Sequence, residues 1–140
     1  LIRTPELIED GLRSLLSAAY PEADVKKRRL MLGDSGLSVN PDLVFGRNHG
    51  VGDVKYRYLR PDWNRSDLNQ LVTFATAFGS VRAALLGFIR DASDEQPRTV
   101  PVGPVVASVF AWNASGSVMP EDSEAQLTLQ FRKWLDGTTP

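Results

Sequence analysis

Apolar residues recur at three- and four-residue spacing near the start of the chain, at Leu7, Ile8, Leu12, Leu15 and Leu16. This predicts an amphipathic helix over residues 5–16, with Thr4 as its N-cap and Pro5 at the first helical position. Pro21 closes that region. Residues 25–32 read as a first strand whose apolar content is thin where Lys26-Lys27-Arg28-Arg29 interrupts it; four bases on an edge strand also deter edge-to-edge association. Gly33-Asp34-Ser35-Gly36 is turn chemistry. Two short strands follow, Leu43-Val44-Phe45 and residues 51–56, joined by the glycine- and asparagine-bearing Gly46-Arg47-Asn48-His49-Gly50. That is a β-hairpin signal. With Gly46 facing Val51, antiparallel register sets Asp42 opposite Lys55 and Val44 opposite Asp53, all four on one sheet face. Leu43, Phe45, Val54 and Tyr56 share the other. Asp42 and Asp53 are then diagonal neighbours, roughly 7–8 Å apart.

Arg60-Pro61-Asp62-Trp63-Asn64-Arg65 reads as a loop, since proline restricts both itself and its predecessor. A helix capped by Ser66 is predicted to run to about Phe78, with Leu68, Leu71, Val72, Ala75 and Phe78 as its buried stripe and Asp67, Gln70 and Phe74 on a neighbouring one. Gly79 ends it. Residues 83–89 and 105–112 are aliphatic and aromatic and read as two further strands, with residues 91–103 between them as a polar connection. Residues 121–135 carry Ala125, Leu127, Leu129, Phe131, Trp134 and Leu135, an imperfect helical pattern suited to covering one sheet face. Trp63, Trp112 and Trp134 read as core or interface anchors in preference to base-stacking platforms.

At 140 residues, with 42% hydrophobic and 24% charged, the composition is that of one globular domain spanning residues 1–140. The start at Leu1 suggests a domain taken from a longer chain. No apolar run approaches the roughly 20 residues of a membrane span. The absence of cysteine removes disulfides, thiolate zinc sites, iron–sulfur clusters and a cysteine nucleophile. The net charge of −1 argues against a generally basic coat, yet residues 25–65 hold nine Lys/Arg against four Asp. A locally positive middle with acidic flanks suits modest contact with a phosphate backbone, and equally a solvated surface. The lone His49, at a hairpin tip, cannot make a histidine-rich zinc site and reads first as turn chemistry.

The candidate chemistry lies on the hairpin. Asp42 and Asp53 supply the one or two carboxylates that a Mg²⁺ site needs, Mn²⁺ being the alternative ion. Lys55, beside them, can position water and offset growing negative charge, and Gln70 can face the hairpin from its helix. A structural reading stands beside this: an exposed Asp–Lys cross-strand pair, worth less than ~1 kcal/mol.

A Pro41-Asp42 entering one strand and Asp53-Val54-Lys55 on the next resembles the PD-(D/E)xK nuclease superfamily. Asp53-Val54-Lys55-Tyr56 followed by Asp67-Leu68-Asn69-Gln70 resembles more closely the nuclease domain of the McrC subunit of McrBC-type restriction systems, over residues 5–89 and best over 41–78. The resemblance implies a restriction-endonuclease-like α/β fold with an αβββαβ core, a mixed central sheet flanked by helices. It implies a cytoplasmic, metal-dependent deoxyribonuclease, with Asp42, Asp53, Lys55, Gln70 and Glu9 catalytic and Asp42, Asp53, the Val54 carbonyl and Glu9 at the metal. Ile8-Glu9 resembles the hydrophobic–Glu step of these proteins; Glu6 is the second candidate, and both also suit the acidic first turn of a helix. Arg47, His49, Arg57, Arg60 and Arg65 are the candidate DNA contacts. The implied partner is a McrB-like GTP-hydrolysing AAA+ motor, through which the domain would oligomerise. In related nucleases the glutamine is followed four residues on by tyrosine; here that place is Phe74. A repair or other defence nuclease, and a non-catalytic DNA-binding or assembly module of the same fold, are the competing readings.

Overall fold

The computed structural model describes residues 5–46, 50–60, 62–89, 98–113 and 120–137, with the backbone alone at 5–10, 56, 113 and 120. Helix α1 runs Pro5–Ala19 and buries Leu12 and Leu16, with Leu15 half-buried beside them. A 3₁₀ turn at Pro21–Ala23 follows. The predicted strand over 25–32 forms only in pieces. Lys26 makes a single antiparallel bridge to Val44, with N–H···O contacts of 3.0 and 2.7 Å, and Leu30–Met31 (β1) pairs with Ser38–Val39 (β2) around the glycine turn. Lys27, Arg28 and Arg29 between them are exposed: a run of cations has no apolar face to bury, so nothing holds it in a ladder.

Strands Leu43–Phe45 (β3) and Gly50–Tyr58 (β4) form the expected hairpin in a different register. Phe45 pairs with Gly50, Val44 with Val51 and Leu43 with Gly52, a shift of two residues from Gly46 facing Val51. Two glycines cause it. Gly46 adopts φ +57, a left-handed conformation that takes it out of the strand, and Gly50 lies against Trp134 so closely that an added Cβ would sit 2.5 Å from the indole. A shift of two leaves the described hairpin side chains on their predicted faces, whereas a shift of one would have inverted them all. Continued one step, the observed register sets Asp42 opposite Asp53, not Lys55.

Helix α2 (Arg65–Ala77) crosses to Arg82–Ile89 (β5), which is parallel to β4; Val105–Asn113 (β7) is parallel to β5. The segment read as a polar connection contributes a strand of its own, Arg98–Val102 (β6), antiparallel to β7. Its Pro101 hides it from a pattern reading, but proline is tolerated at a sheet edge, which is where β6 lies. The five-stranded mixed sheet has the order β3-β4-β5-β7-β6.

Helices cover both faces. Helix α2 and the β1–β2 hairpin pack on Val44, Val51, Ala83, Leu85, Ala107 and Val109. Helix α1 and helix α3 (Pro120–Leu135) pack on Leu43, Phe45, Val54, Leu86 and Phe110. The buried stripe of α3 is Ser123, Leu127, Phe131 and Trp134, while Ala125 and Leu129 face solvent. Phe45, Phe110, Phe131 and Trp134 form one aromatic cluster, with ring centroids 4.8–5.9 Å apart. No described helix is long and apolar enough to cross a membrane.

Candidate active site

The site forms where β4 passes under the first turns of α2. Asp53, Lys55 and Arg57 alternate along β4 and so present their side chains to the α2 face. Helix α2 is started by Asn64, not Ser66: the Asn64 side-chain oxygen accepts from the Asp67 N–H at 3.1 Å. With the helix begun there, Asp67 and Gln70 lie one turn apart facing β4, and Leu71, Phe74 and Ala75 are buried.

Lys55 is the hub. Its Nζ lies 2.9 Å from Asp53 Oδ2, donates to Gln70 Oε1 at 2.9 Å and stands 4.0 Å from Asp67 Oδ1. Asp53 is only 6% exposed and Asp67 7%, so both carboxylates are held in a screened environment against cations. Asp67 also accepts from the Arg57 guanidinium. The unit Asp53–Lys55–Gln70 therefore continues through Asp67 to Arg57, and Arg57, a candidate DNA contact, is engaged within the protein.

Asp42 approaches from the β3 edge of β4. It precedes β3 and its Oδ2 accepts the Val54 N–H at 2.8 Å, doing for β4 what a strand carbonyl would do. Its own carbonyl accepts from Arg13 of α1 at 3.2 Å, so α1 helps fix the turn into the hairpin. Beyond Val54 the β4–β5 ladder is irregular: the pairing passes from Val54↔Leu86 to Tyr58↔Phe88, four residues against two. This bulge spans Lys55 and Arg57. Bulges re-aim side chains in this way near functional sites. It also carries Leu59 over Gly87, where an added Cβ would meet the leucine at 2.4 Å.

Asp42, Asp53 and the Val54 carbonyl are hard oxygen donors of the kind that suit Mg²⁺ or Mn²⁺ and not a thiolate or histidine site. Among the described residues no group of three His, Cys, Asp or Glu side chains could hold a metal, so most of any ion's coordination would come from water and substrate. Glu9 lies on α1, its side chain outside the described residues, and Arg47 and His49 also lie outside them.

Arg60, in the loop before α2, and Arg65, the first residue of α2, are exposed. Past Arg57 the site opens into a groove of about 530 Å³, lined among others by Arg57, Arg60, Trp63, Asn64, Asp67 and Arg98. Burial lowers the Arg98 pKa, and the nearby Asp62 carboxylate opposes that shift; an arginine stays charged throughout. Sequence reasoning missed Asp67, Arg13 and Arg98. Asp67 had a signal, an acid one turn before Gln70 on the same stripe. Arg98 had none, since its strand went unread.

No protein-family profile and no curated protein matches the chain. Among solved structures, the fold is similar to that of a chain in the refined half-complex from the tetradecameric assembly of Thermococcus gammatolerans McrB AAA+ hexamers with bound McrC. The superposition has a TM-score of 0.66 and covers 94% of this chain and 33% of that one, at 14% identity. The present chain thus spans about a third of its neighbour's length, and at that identity the likeness is one of fold.

Proposed function

We propose that this chain is a Mg²⁺-dependent nuclease domain of the restriction-endonuclease-like α/β class, hydrolysing DNA phosphodiesters within a McrBC-like defence system. The observation that carries the reading is the Lys55 hub. A lysine amine 2.9 Å from both a buried aspartate and a helix-borne glutamine, with a second aspartate fixed to the next peptide, is more organised than a surface ion pair needs. The fold shared with a chain of an McrB–McrC assembly supports the same reading, as does the order helix, hairpin, helix, parallel strand.

Hydrolysis requires a water oxygen to add to phosphorus while a P–O bond breaks and charge builds on the phosphoryl and leaving oxygens. A bound magnesium ion supplies Lewis acidity and activates water there. Asp42, Asp53 and the Val54 carbonyl would hold it. Lys55 Nζ places a positive charge and three donors beside those carboxylates, suited to orienting the attacking water and offsetting the anionic transition state. Gln70 fixes the Lys55 rotamer, and Asp67 with Arg57 keeps α2 seated against β4.

The test is cleavage of plasmid DNA in Mg²⁺, with and without excess EDTA, by the wild type and Asp53→Asn, each with an McrB-like motor and GTP present. Metal-dependent cutting that disappears in Asp53→Asn is expected. Undiminished cutting in EDTA would refute the metal mechanism, and a wild type inert with every divalent ion and motor tried would favour a non-catalytic module.

A further inference from the structure

The groove beyond Arg57 is built from four separate parts of the fold. Arg57 comes from the bulged end of β4, Arg60 and Trp63 from the following loop, Asn64 and Asp67 from the start of α2, and Arg98 from the edge strand β6. The sheet register explains why they meet. Asp53 pairs with Leu85, Leu85 with Val109 and Val109 with Arg98, so one row crosses four strands from the candidate catalytic aspartate to Arg98. At ordinary interstrand spacing the row spans on the order of 14 Å. Leu85 and Val109 floor the groove, and Leu59, carried over Gly87 by the bulge, forms part of its wall. The groove lies at the C-terminal end of β4 and over the middles of β5 and β7.

Its chemistry is that of a nucleotide site. Three guanidiniums face two carboxylates, and one of those, Asp67, is already engaged by Arg57 and Lys55. Among the described residues Arg60 makes no ion pair. Trp63 is half-buried, packed on the core along one side while lining the groove. An aromatic ring beside arginines, over an apolar floor, offers a base a stacking surface and its phosphate a fork of donors. A volume of about 530 Å³ is the size of a small-molecule pocket, too small to admit a double helix.

We infer that this groove seats one nucleotide of a single strand next to the cleavage point, its base against Trp63 and its phosphate on Arg60 and Arg98. The inference rests on the nuclease reading for what happens at Asp53, but not for the binding itself. A duplex substrate would have to present a locally unpaired or extruded nucleotide to fill the groove. Trp63, read from sequence as an anchor, here has both roles.

Binding is measured in EDTA, so that a failure of catalysis and a failure of the groove are separable. Tryptophan fluorescence and anisotropy titrations use a single-stranded 12-mer, the matching duplex and a nucleoside 5′-monophosphate. The 12-mer is expected to bind more tightly than the duplex and to quench Trp63. Trp63→Ala should weaken it about tenfold with the salt slope unchanged, and Trp63→Phe should restore most of that. Arg60→Ala and Arg98→Lys, which leave the core untouched, should weaken binding, and Arg60→Ala should reduce the log–log salt slope by about 0.7. Wild-type affinity in Trp63→Ala, Arg60→Ala and Arg98→Lys alike, with circular dichroism unchanged, overturns the inference. So does a monophosphate that binds as tightly as the 12-mer, which would assign the groove to free nucleotides, or a duplex that outcompetes the single strand.

Discussion

Lys55 donates to two acceptors that are themselves held, Asp53 by burial in β4 and Gln70 by the geometry of α2. Lys55→Ala therefore leaves Asp53 in place, and Asp42, held by the Val54 N–H, with it. Metal affinity by calorimetry should change little while single-turnover cleavage falls ~10²–10⁴-fold, the usual contribution of a positioned proton-transfer group; wild-type turnover in this variant would remove Lys55 from the mechanism. Asp42 combines structure with chemistry, and two substitutions separate them. Asp42→Asn keeps an oxygen for the Val54 N–H and should melt near the wild type, yet lose metal-dependent cleavage. Asp42→Ala leaves that N–H without its acceptor and should cost an additional ~1–3 kcal/mol in denaturant unfolding. Tyr20 gives a pH-dependent test of packing. Its hydroxyl donates to the Thr128 carbonyl, and burial raises its pKa although Arg132 opposes this. A raised pKa on the folded side means that its contribution is intact below about pH 10 and is lost as pH climbs toward the folded value. The stability gap between wild type and Tyr20→Phe should therefore narrow above pH 10. At this scale Asp42, Asp53, Lys55 and Gln70 were legible as types at spacings. What each one touches was not, because Asp67 and Arg13 reach the site from helices whose docking no local pattern encodes.

Helices α2 and α3 and strands β5 and β7 were legible because each buries a continuous stripe or run, so the local signal and the tertiary fate agree. The hairpin shows the limit. Alternation fixes faces but not register, and register here depends on Gly50 meeting Trp134, more than eighty residues away, and on Gly46 leaving the strand. Edge pieces were misjudged for the opposite reason: the strand read over 25–32 forms only as the Lys26 bridge and β1, because its run of cations has nothing to bury, and β6, which buries little, was hidden by its proline. Gly50→Ala should thus do more harm than an ordinary strand Gly→Ala, since its methyl must displace a buried indole. A loss of ~1–3 kcal/mol with altered near-ultraviolet circular dichroism is expected, and an unperturbed indole signal would show that the strand simply slides. Gly87→Ala meets Leu59 instead, a side chain at the groove wall, so it should disturb nucleotide binding more than melting.

Across the whole molecule, two apolar layers sandwich one sheet, and the Lys55 hub lies in the α2 layer. The α1–α3 layer holds the aromatic cluster, so Phe131→Ala should cost ~3–5 kcal/mol in unfolding while leaving the Lys55 hub intact at temperatures where the protein stays folded. Charge at this scale bears on delivery of substrate. The chain carries a net −1, its bases gather in residues 25–65, and several of those are spent internally: Arg57 on Asp67, Lys55 on Asp53 and Lys26 on Asp24. Pairing takes three of the nine bases in that stretch, and non-specific DNA affinity depends on the number of phosphates neutralised. The site is therefore expected to be starved of substrate unless another subunit brings the DNA to it. In multi-turnover assays at physiological salt the protein alone should cut slowly, with a rate still rising with DNA concentration at the highest concentrations used. If delivery and not chemistry is what an McrB-like motor supplies, adding it with GTP should raise the rate at sub-saturating DNA much more than the rate at saturation. A motor effect confined to the saturating rate would mean instead that the partner reorganises the Lys55 hub, and saturating, motor-independent cutting by the chain alone would sever the proposed link to an AAA+ partner.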